Sequence, residues 1–491
     1  MQCHQFMNML LGIRVGGMPL SAESELATEC VSGTRVDRAV ISSELFTIPI
    51  VDGRYIVYAP LRRSAFVCNG ALVDLIARIK KTGIVDSNSD PDGRIIELLR
   101  NLELADAGPE PKPITEFQGE PTPTSLTLFL STACNLRCTY CYASAGDVPA
   151  RFMDIEVAQR GVDFVIANAQ RKGAKEIEIT YHGGGEPTVH WKVMTESLAY
   201  AQQAASSCDL AVKAYAATNG VMSDAQIDWI IGNLNGLSVS FDGVPSVHDS
   251  NRLTVLGQGS SGQVERTLRR LDMAAFPYGI RITVTADQVS HLKESVSYIC
   301  SNFNPQRIQV EPAFRLGRWN DAPSSETIEF IEAFRAGNSA AQGYGRSLFY
   351  SAARVGSLTS HFCEASKDPF ALSPDGNVSA CYEVFSEDDP LAETFFYGHS
   401  CGASFEFDLN VLNRLRHQAV QYRDHCSGCF AKWSCAGDCF HKVLAAYGQG
   451  ELAGSARCHI TRELTKDQIL EKIASSGGIF WHEGGLQRSV C

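Results

Sequence analysis

Three features that this 491-residue chain lacks limit what it can do. No stretch approaches the roughly 20 uninterrupted apolar residues of a membrane helix, so we expect no membrane span. Met1–Leu20 lacks the basic start and apolar run of a secretory signal, which favours a soluble, cytoplasmic protein. The chain also has no excess of positively charged residues. The net charge is −12, and an acidic surface repels phosphate backbones, which argues against a nucleic-acid partner.

Cysteine, in contrast, is abundant, with 17 residues. The cytosol keeps thiols reduced, so a disulfide framework is not expected. Many of the cysteines are concentrated in two tight groups, Cys134–Cys141 and Cys426–Cys439. Grouping of this kind is typical of metal sites.

The hydrophobic pattern predicts several domains, which the chain's length and its 44% hydrophobic content allow. Three strands followed by helices predict a small α+β domain, and a proline-rich linker follows it. Six strands that alternate with helices then predict a parallel α/β sheet with functional residues at the carboxyl ends of its strands. These six strands are predicted at 125–131, 176–182, 211–217, 236–241, 279–285 and 307–313. The predicted divisions are 1–38 (irregular), 39–107 (α+β), 108–123 (linker), 124–345 (α/β), 346–465 (cysteine-rich) and 466–491 (helix and tail).

The first cysteine group follows the first strand of the alternating region directly. Cys134, Cys138 and Cys141 stand in the sequence C-N-L-R-C-T-Y-C. Three thiolates on a short loop can bind three irons of a 4Fe–4S cluster and leave the fourth iron open to a substrate. A structural zinc site would need a fourth cysteine or histidine, and none lies nearby in the sequence.

This loop resembles the signature of the radical S-adenosylmethionine (SAM) superfamily, including the aromatic Tyr140 before the last cysteine. The resemblance implies a partial (βα)6 barrel, a choice that the strand pattern alone leaves open. It also implies that SAM chelates the open iron through its amino and carboxylate groups. Reductive cleavage, with a reductant such as flavodoxin or ferredoxin, would then give methionine and a 5′-deoxyadenosyl radical.

Two further motifs extend the resemblance. The segment 182–187 resembles the G-G-E-P motif that holds the SAM amino group, although a plain βα turn is the alternative. The segment 240–252 resembles S-x-D-G-x4-H-D-x2-R of anaerobic sulfatase-maturating enzymes and their peptide-modifying relatives, which implies a ribose contact for Ser240. Without that resemblance, Asp242 would belong to an ordinary turn and His248 would be a surface residue. The implied cofactor-binding residues are Tyr140, Gly184, Gly185, Glu186, Pro187, Asn219, Ser240 and Asp242.

The later cysteines match the seven-cysteine pattern of SPASM domains, named for maturases of subtilosin, pyrroloquinoline quinone, anaerobic sulfatase and mycofactocin. That family holds two auxiliary 4Fe–4S clusters. The implied ligands of one cluster are Cys426, Cys429, Cys435 and Cys458. Those of the other are Cys363, Cys381 and Cys439. The second set leaves either an open iron or a fourth ligand from elsewhere, with Cys401 the nearest spare thiol. Two zinc sites are the competing interpretation.

The small N-terminal domain resembles the recognition domain of many peptide maturases, which captures a leader peptide as an added strand. A purely structural domain is the alternative. The whole pattern implies a radical SAM/SPASM maturase that installs a thioether, a carbon–carbon crosslink or an epimerised centre in a ribosomally synthesised precursor peptide. The alternatives are a sulfatase maturase that forms formylglycine and a non-catalytic iron–sulfur protein of electron transfer. The sequence does not single out a general base, and Asp375 and Glu383 are candidates.

Overall fold

A computed structural model describes residues 37–85, 93–147, 149–314, 317–318, 327–447 and 455–483. Most of the predicted irregular segment 1–38 and the last residues of the predicted tail lie outside the described residues. Within those ranges, no helix combines the length and apolar character needed to cross a membrane.

A small sheet and two helices form the N-terminal unit. Its elements are β1 (Asp37–Arg38), β2 (Phe46–Pro49), β3 (Arg54–Ala59), β4 (Ser64–Asn69), α1 (Gly70–Thr82), β5 (Ile84–Val85) and α2 (Arg94–Asn101). The side chain of Asn69 accepts a hydrogen bond from Leu72 N at 3.2 Å and so caps α1. The apolar face of α1 is buried against the sheet.

Six parallel strands form the centre of the molecule, and the α/β fold class is confirmed. Neighbours along the chain pair with each other throughout. The strands are β6 (Ser125–Phe129), β7 (Glu176–His182), β8 (Ala211–Thr218), β9 (Gly236–Ser240), β10 (Tyr278–Val284) and β11 (Arg307–Pro312). The helices between and after them are α3 (Ile155–Lys172), α4 (Trp191–Ser206), α5 (Asp224–Asn233), α6 (Pro245–Asn251), α7 (Ser261–Met273), α8 (Leu292–Asn302) and α9 (Thr327–Gln342). The carboxyl ends of the six strands lie along one edge of the sheet, where a functional site is expected.

The central sheet continues on both sides of these six strands. β12 (Leu348–Phe349) pairs with β11, and β13 (Ala371–Leu372) pairs in parallel with β6. β14 (Asn377–Ser379), β15 (Phe396–Cys401) and β16 (Ser404–Phe407) then add an antiparallel meander. The predicted cysteine-rich region is therefore not set apart from the sheet, because its strands extend the edge at β6. Strand pairing across such a distance in sequence has no local signal.

Five helices lie in the C-terminal part of the chain, and the strand that follows them pairs with the N-terminal unit. The helices are α10 (Ala392–Phe395), α11 (Leu409–Arg416), α12 (Lys432–Cys435), α13 (Phe440–Tyr447) and α14 (Ala456–Ser475). The last helix begins before the predicted position 466. Beyond it, β17 (Phe480–His482) pairs antiparallel with β4. What the sequence suggests to be a tail is thus the fourth strand of the N-terminal sheet.

The proline-rich segment 108–123 contains no helix or strand, as predicted, but it is tied down at both ends. The Glu110 carboxylate accepts hydrogen bonds from Ser43 Oγ at 2.8 Å and from Glu44 N at 3.1 Å. Arg416 Nη1 donates to Gly119 O at 2.8 Å. These contacts hold the linker against the units that it joins.

Glu44 anchors the N-terminal unit to the cysteine-rich region. Its buried carboxylate accepts from Lys432 Nζ at 2.5 Å and from Trp433 Nε1 at 3.1 Å. Both donors belong to α12, which ends at Cys435. The contact therefore ties the orientation of the N-terminal unit to the helix that carries one of the cysteines.

The first testable prediction concerns this anchor. Glu44→Ala leaves a largely buried ammonium and an indole N–H without their acceptor, so the free energy of unfolding should fall by about 2–4 kcal/mol. Urea unfolding followed by circular dichroism measures the change. The matched control is Glu483→Ala, which breaks a second link between the N-terminal and C-terminal segments, the exposed Arg63–Glu483 pair. That variant should lose less than about 1 kcal/mol, and equal losses in the two variants would contradict the anchor.

Candidate functional site

A cavity of about 580 Å³ opens at the carboxyl ends of the central strands. This volume is in the range of sites that hold a small cofactor or substrate. Most of the predicted site residues line it. They are Cys134, Cys138, Tyr140, Cys141, Gly184, Gly185, Glu186, Asn219 and Ser240. Two predicted residues, Pro187 and Asp242, are not part of its wall.

The cysteine loop is held in place through its backbone. Arg137 N donates to Leu253 O at 2.6 Å, and Thr139 N donates to Asn251 O at 2.9 Å. On the other side, Arg318 donates from Nη1 to Cys138 O at 2.6 Å. These bonds fix the loop from both flanks, so the three sulfur atoms are positioned by the surrounding fold.

The three thiols of this loop are partly buried. Burial raises the pKa of Cys134 to about 12, with a further contribution from the charge of Glu186. Burial also raises the pKa of Cys138 to about 11, although Arg252 opposes the rise. Unligated, Cys134 and Cys138 stay protonated at neutral pH. Binding of a metal would therefore release protons.

Glu186 lies at the junction of three loops and is 2% exposed. Its Oε1 accepts from Thr188 Oγ1 and Thr218 Oγ1, both at 2.8 Å, and its Oε2 accepts from Asn219 N at 2.7 Å. Its own N–H donates to Ala133 O at 2.9 Å. The carboxylate thus joins the end of β7 to the end of β8, and the backbone joins both to the cysteine loop.

Asn219 extends these contacts to the cysteines themselves. Its Nδ2 lies 3.7 Å from Cys134 Sγ and donates to Asn135 Oδ1 at 2.7 Å. Its Oδ1 accepts from Val221 N at 2.8 Å. The amide therefore orients the first thiol of the loop as well as lining the cavity.

Two glycines beside Glu186 are required by close packing. A Cβ atom on Gly185 would lie 2.1 Å from Ala133 O, and one on Gly184 would lie 2.2 Å from the Phe385 ring. At Gly183, in contrast, the nearest atom would be 3.5 Å away. The segment is therefore more than a plain βα turn, because the cysteine loop and an aromatic ring of the cysteine-rich region pack directly on its backbone.

Asp242 lies behind the cavity wall, and its carboxylate accepts hydrogen bonds from residues of the protein itself. It accepts from the Tyr140 hydroxyl, from Arg252 Nε at 2.9 Å and from Thr283 N at 3.1 Å. Its own N–H donates to His248 Nδ1 at 3.3 Å. His248 is fully buried, so the interpretation of it as a surface residue is wrong. These residues position Tyr140 and Arg252, both of which line the cavity.

Within each of the two implied sets, the later cysteines lie near enough to affect one another's pKa values. Burial raises the pKa of Cys381 well above its usual value, and charges on Glu383, Cys439 and Cys363 add to the effect. Burial likewise raises the pKa of Cys435, with contributions from Asp438, Cys426, Cys429 and Cys458. Across the described parts of the chain, no three His, Cys, Asp or Glu side chains are arranged around a single ion. A cubane makes a different demand, since each thiolate binds its own iron.

Cys401 does not join either set. It lies at the far end of β15, and that strand pairs with β14 through Phe396 opposite Ser379. Cys381 lies just beyond Ser379, near the start of β15. Five residues of strand separate that end from Cys401, or about 16 Å. Cys401 is exposed and lies next to Glu406 instead, so it is not a spare ligand for Cys363, Cys381 and Cys439.

The two candidate bases lie in different surroundings. Asp375 forms a partly exposed ion pair with Arg151 at 2.7 Å. Glu383 lines the cavity, together with four charged or titratable residues that the sequence interpretation missed: His182, Arg281, Glu311 and Lys442. Of these, Glu311 is 3% exposed, and its Oε2 has no hydrogen-bond partner. His182 and Glu311 lie at or near the carboxyl ends of β7 and β11, which is the one available signal, but many residues share that position.

Comparison with known proteins identifies the central sheet. The model of the Radical SAM superfamily matches residues 128–296. This chain carries a radical SAM domain. The match includes the cysteine loop, the glycine segment and the Ser240–Arg252 stretch, which are the elements that surround the cavity.

Two curated relatives extend beyond this domain. The sporulation killing factor maturation protein SkfB of Bacillus subtilis is 25% identical over 278 residues, or 55% of this chain and 62% of SkfB. The mycofactocin maturase MftC of Mycolicibacterium smegmatis is 26% identical over 287 residues, or 56% of this chain and 68% of MftC. The match thus spans less than two thirds of SkfB.

A solved structure supports the fold. The structure of anSMEcpe with bound AdoMet superposes with a TM-score of 0.58 over 72% of this chain and 96% of that one, at 18% identity. The comparison therefore covers more of the chain than the radical SAM domain alone. At that identity the similarity establishes the arrangement of the elements.

The radical SAM domain has the donor set that its family's cofactors require. Radical SAM proteins use a 4Fe–4S cluster and SAM. Three thiols line one side of the cavity, and the backbone of Gly183, Gly184 and Gly185 lines the next. A cubane with three thiolate ligands and a nucleotide-sized ligand beside it both suit these surroundings.

The second prediction tests the close packing at the glycines. Gly185→Ala places a methyl group against two backbone oxygens, which cannot rotate away. The expected strain is about 1–3 kcal/mol, and we expect SAM affinity to fall by up to about a hundredfold. Equilibrium binding of SAM to the iron-loaded protein measures it. Gly183→Ala meets only ordinary contacts and should bind SAM normally, and equal affinity in both variants would contradict the packing argument.

Proposed function

We propose that this protein is a radical SAM maturase that modifies a ribosomally synthesised precursor peptide by forming a thioether or carbon–carbon crosslink or by epimerisation. The observation that carries the proposal is the cavity itself. One side of it carries the three-cysteine loop, and the other carries Glu383 and Lys442 from the cysteine-rich region. Similarity to two peptide maturases supports the choice of substrate class.

In this proposal, each wall of the cavity has a separate task. Cys134, Cys138 and Cys141 hold the cluster, which on one-electron reduction by a flavodoxin or ferredoxin lets bound SAM supply a 5′-deoxyadenosyl radical. The backbone of Gly184 and Gly185 receives the methionine part of SAM. Ser240 and Asn219 contact the nucleoside part, and Glu186, Pro187, Tyr140 and Asp242 hold these contacts in place.

The substrate side of the cavity is charged. Arg281 and Lys442 offer positive charge to a peptide carbonyl or carboxylate. Glu311 Oε2, buried and without a hydrogen-bond partner, is placed to accept a proton from the substrate. Glu383 is the second carboxylate in reach, and its Oε2 also lacks a hydrogen-bond partner. Although burial opposes the effect, Lys442 and His441 lower the pKa of the Glu383 carboxyl, which makes it a weak base. Glu311 is therefore our candidate for the general base.

The two later cysteine sets are proposed to hold auxiliary 4Fe–4S clusters. Cys426, Cys429, Cys435 and Cys458 supply four thiolates to one cluster, and Cys363, Cys381 and Cys439 supply three to the other. Glu383 raises the pKa of both Cys381 and Cys439 and also lines the main cavity, so the second set lies close to the substrate. This position suits an electron acceptor for an oxidised product. The reducing cytoplasm is the expected compartment.

The N-terminal unit is proposed to bind the leader of the precursor. Among the described residues, the order of its sheet is β17, β4, β3 and β2, so β2 is an edge strand in that part of the chain. An edge strand offers unpaired backbone groups to an incoming strand. Glu44, which anchors this unit near Cys435, lies two residues before β2.

Sulfatase maturation is the second candidate. The Ser240–Arg252 motif favours it, and so does a cysteine-type anaerobic sulfatase-maturating enzyme of Clostridium perfringens, which is 26% identical over 174 residues, or 34% of this chain. Such an enzyme needs no leader-binding edge. A sulfatase encoded beside this protein would favour this candidate, and a small precursor gene would favour the first.

The third prediction tests the catalytic cluster. Replacing Cys134, Cys138 and Cys141 with Ala should abolish production of 5′-deoxyadenosine, because no cluster remains to reduce SAM. Iron should fall from about twelve to about eight atoms per chain, which corresponds to the loss of one cubane. The matched control is Cys208→Ala, a cysteine outside the three sets, which should keep both. Wild-type 5′-deoxyadenosine in the triple variant would disprove the assignment, and stoichiometric zinc would disprove the auxiliary clusters.

The fourth prediction tests the leader-binding edge. Hydrogen exchange of the backbone amides at 46–48 should slow when the full precursor is added, since an added strand protects them. A leaderless core peptide at the same concentration should leave that exchange unchanged. Equal protection by both peptides, or none by either, would mean that this sheet is structural.

A further inference from the structure

A second, much smaller cavity of about 20 Å³ lies among the three cysteines that lack a fourth partner. Cys363, Cys381 and Cys439 line it, and so does His441. His441 is 5% exposed and lies in the first turn of α13, two residues after Cys439. An imidazole therefore faces the same space as the three thiols.

The other polar side chains around this cavity have partners of their own, and Ser366 Oγ donates to Cys363 O at 3.5 Å. Asp438 receives two hydrogen bonds from Arg457, at 2.6 and 2.7 Å, and one from Cys439 N at 2.7 Å. Gln418 accepts from Arg423 at 3.4 Å. Arg423 is a cation and cannot serve as a ligand. Among the described residues that line the cavity, His441 is the side chain best suited to bind a metal.

One nitrogen of His441 is already oriented. Its Nδ1 lies 2.9 Å from Glu383 Oε2, and the ring packs against Phe395 with the centroids 5.6 Å apart. A carboxylate at Nδ1 favours the tautomer that keeps its proton there, which leaves the lone pair on Nε2 for a metal. In metal-bound histidines the second nitrogen commonly donates to a carboxylate. Here the two atoms are within hydrogen-bond distance, although they are not aligned as a hydrogen bond.

We propose that Nε2 of His441 is the fourth ligand of the cluster held by Cys363, Cys381 and Cys439. This inference rests on the proposed function, which assigns an auxiliary cluster to those cysteines. Replacing a thiolate by a neutral imidazole removes one negative charge from the cluster and raises its reduction potential. Because Glu383 also lines the main cavity, the ligand's own partner is in reach of the substrate.

The test looks for the nitrogen directly. The triple variant without Cys134, Cys138 and Cys141 keeps only the auxiliary sites, and it is produced with ¹⁵N-labelled histidine. After reduction, pulsed electron paramagnetic resonance should show a ¹⁵N coupling typical of an iron-bound imidazole. His441→Cys should abolish that coupling, keep about eight irons, and lower the midpoint potential of the cluster. The control His399→Ala, an exposed histidine on β15, should keep the coupling.

The outcomes separate this inference from the function on which it rests. About eight irons without a ¹⁵N coupling would overturn the His441 ligand and leave the auxiliary clusters standing. A coupling that survives in His441→Cys would overturn it as well. Stoichiometric zinc, or little iron in the triple variant, would overturn the auxiliary clusters and the ligand with them.

Discussion

The buried charge of Glu186 is the contact on which the arrangement of the site depends. Removing a carboxylate from water is costly unless hydrogen bonds replace the lost solvent, and burial raises the pKa of Glu186 accordingly. Thr188, Thr218 and Asn219 supply those bonds. These donors lie at or beyond the ends of two different strands, β7 and β8, and the N–H of Glu186 binds the cysteine loop at Ala133 O. Satisfying this one charge therefore fixes the positions of both strand ends and of the loop relative to one another.

Similar buried charges organise the rest of the cavity. Asp242 accepts hydrogen bonds from Tyr140, which belongs to the cysteine loop, and from Arg252. Asp438 binds Arg457, whose Nη1 lies 4.0 Å from Glu311 Oε2. Removing one partner of such a pair would leave an uncompensated buried charge. The radical SAM domain and the cysteine-rich region thus share a wall that charge pairs hold in position.

The sequence predicts the elements of this fold well because they are local. Buried apolar residues at helical spacing predict α1 and α3, and short apolar runs predict the strands. Contacts between distant segments carry no such signal. Nothing in residues 480–482 indicates pairing with β4, and nothing near Gly184 indicates that Phe385 fills the space above it. The same holds for the cavity: its cysteines are recognisable by spacing, whereas Glu311 and His441 become candidates only when their surroundings are known.

The central claim is that a radical formed beside the three-cysteine loop removes hydrogen from a peptide in this cavity. The most direct measurement is isotope transfer. The proposed precursor peptide would be prepared with deuterated residues and incubated with the reduced, iron-loaded protein and SAM. Mass spectrometry should then find deuterium in 5′-deoxyadenosine and a matching change of mass or chirality in the peptide. Abundant 5′-deoxyadenosine without deuterium, together with an unchanged peptide, would contradict the account.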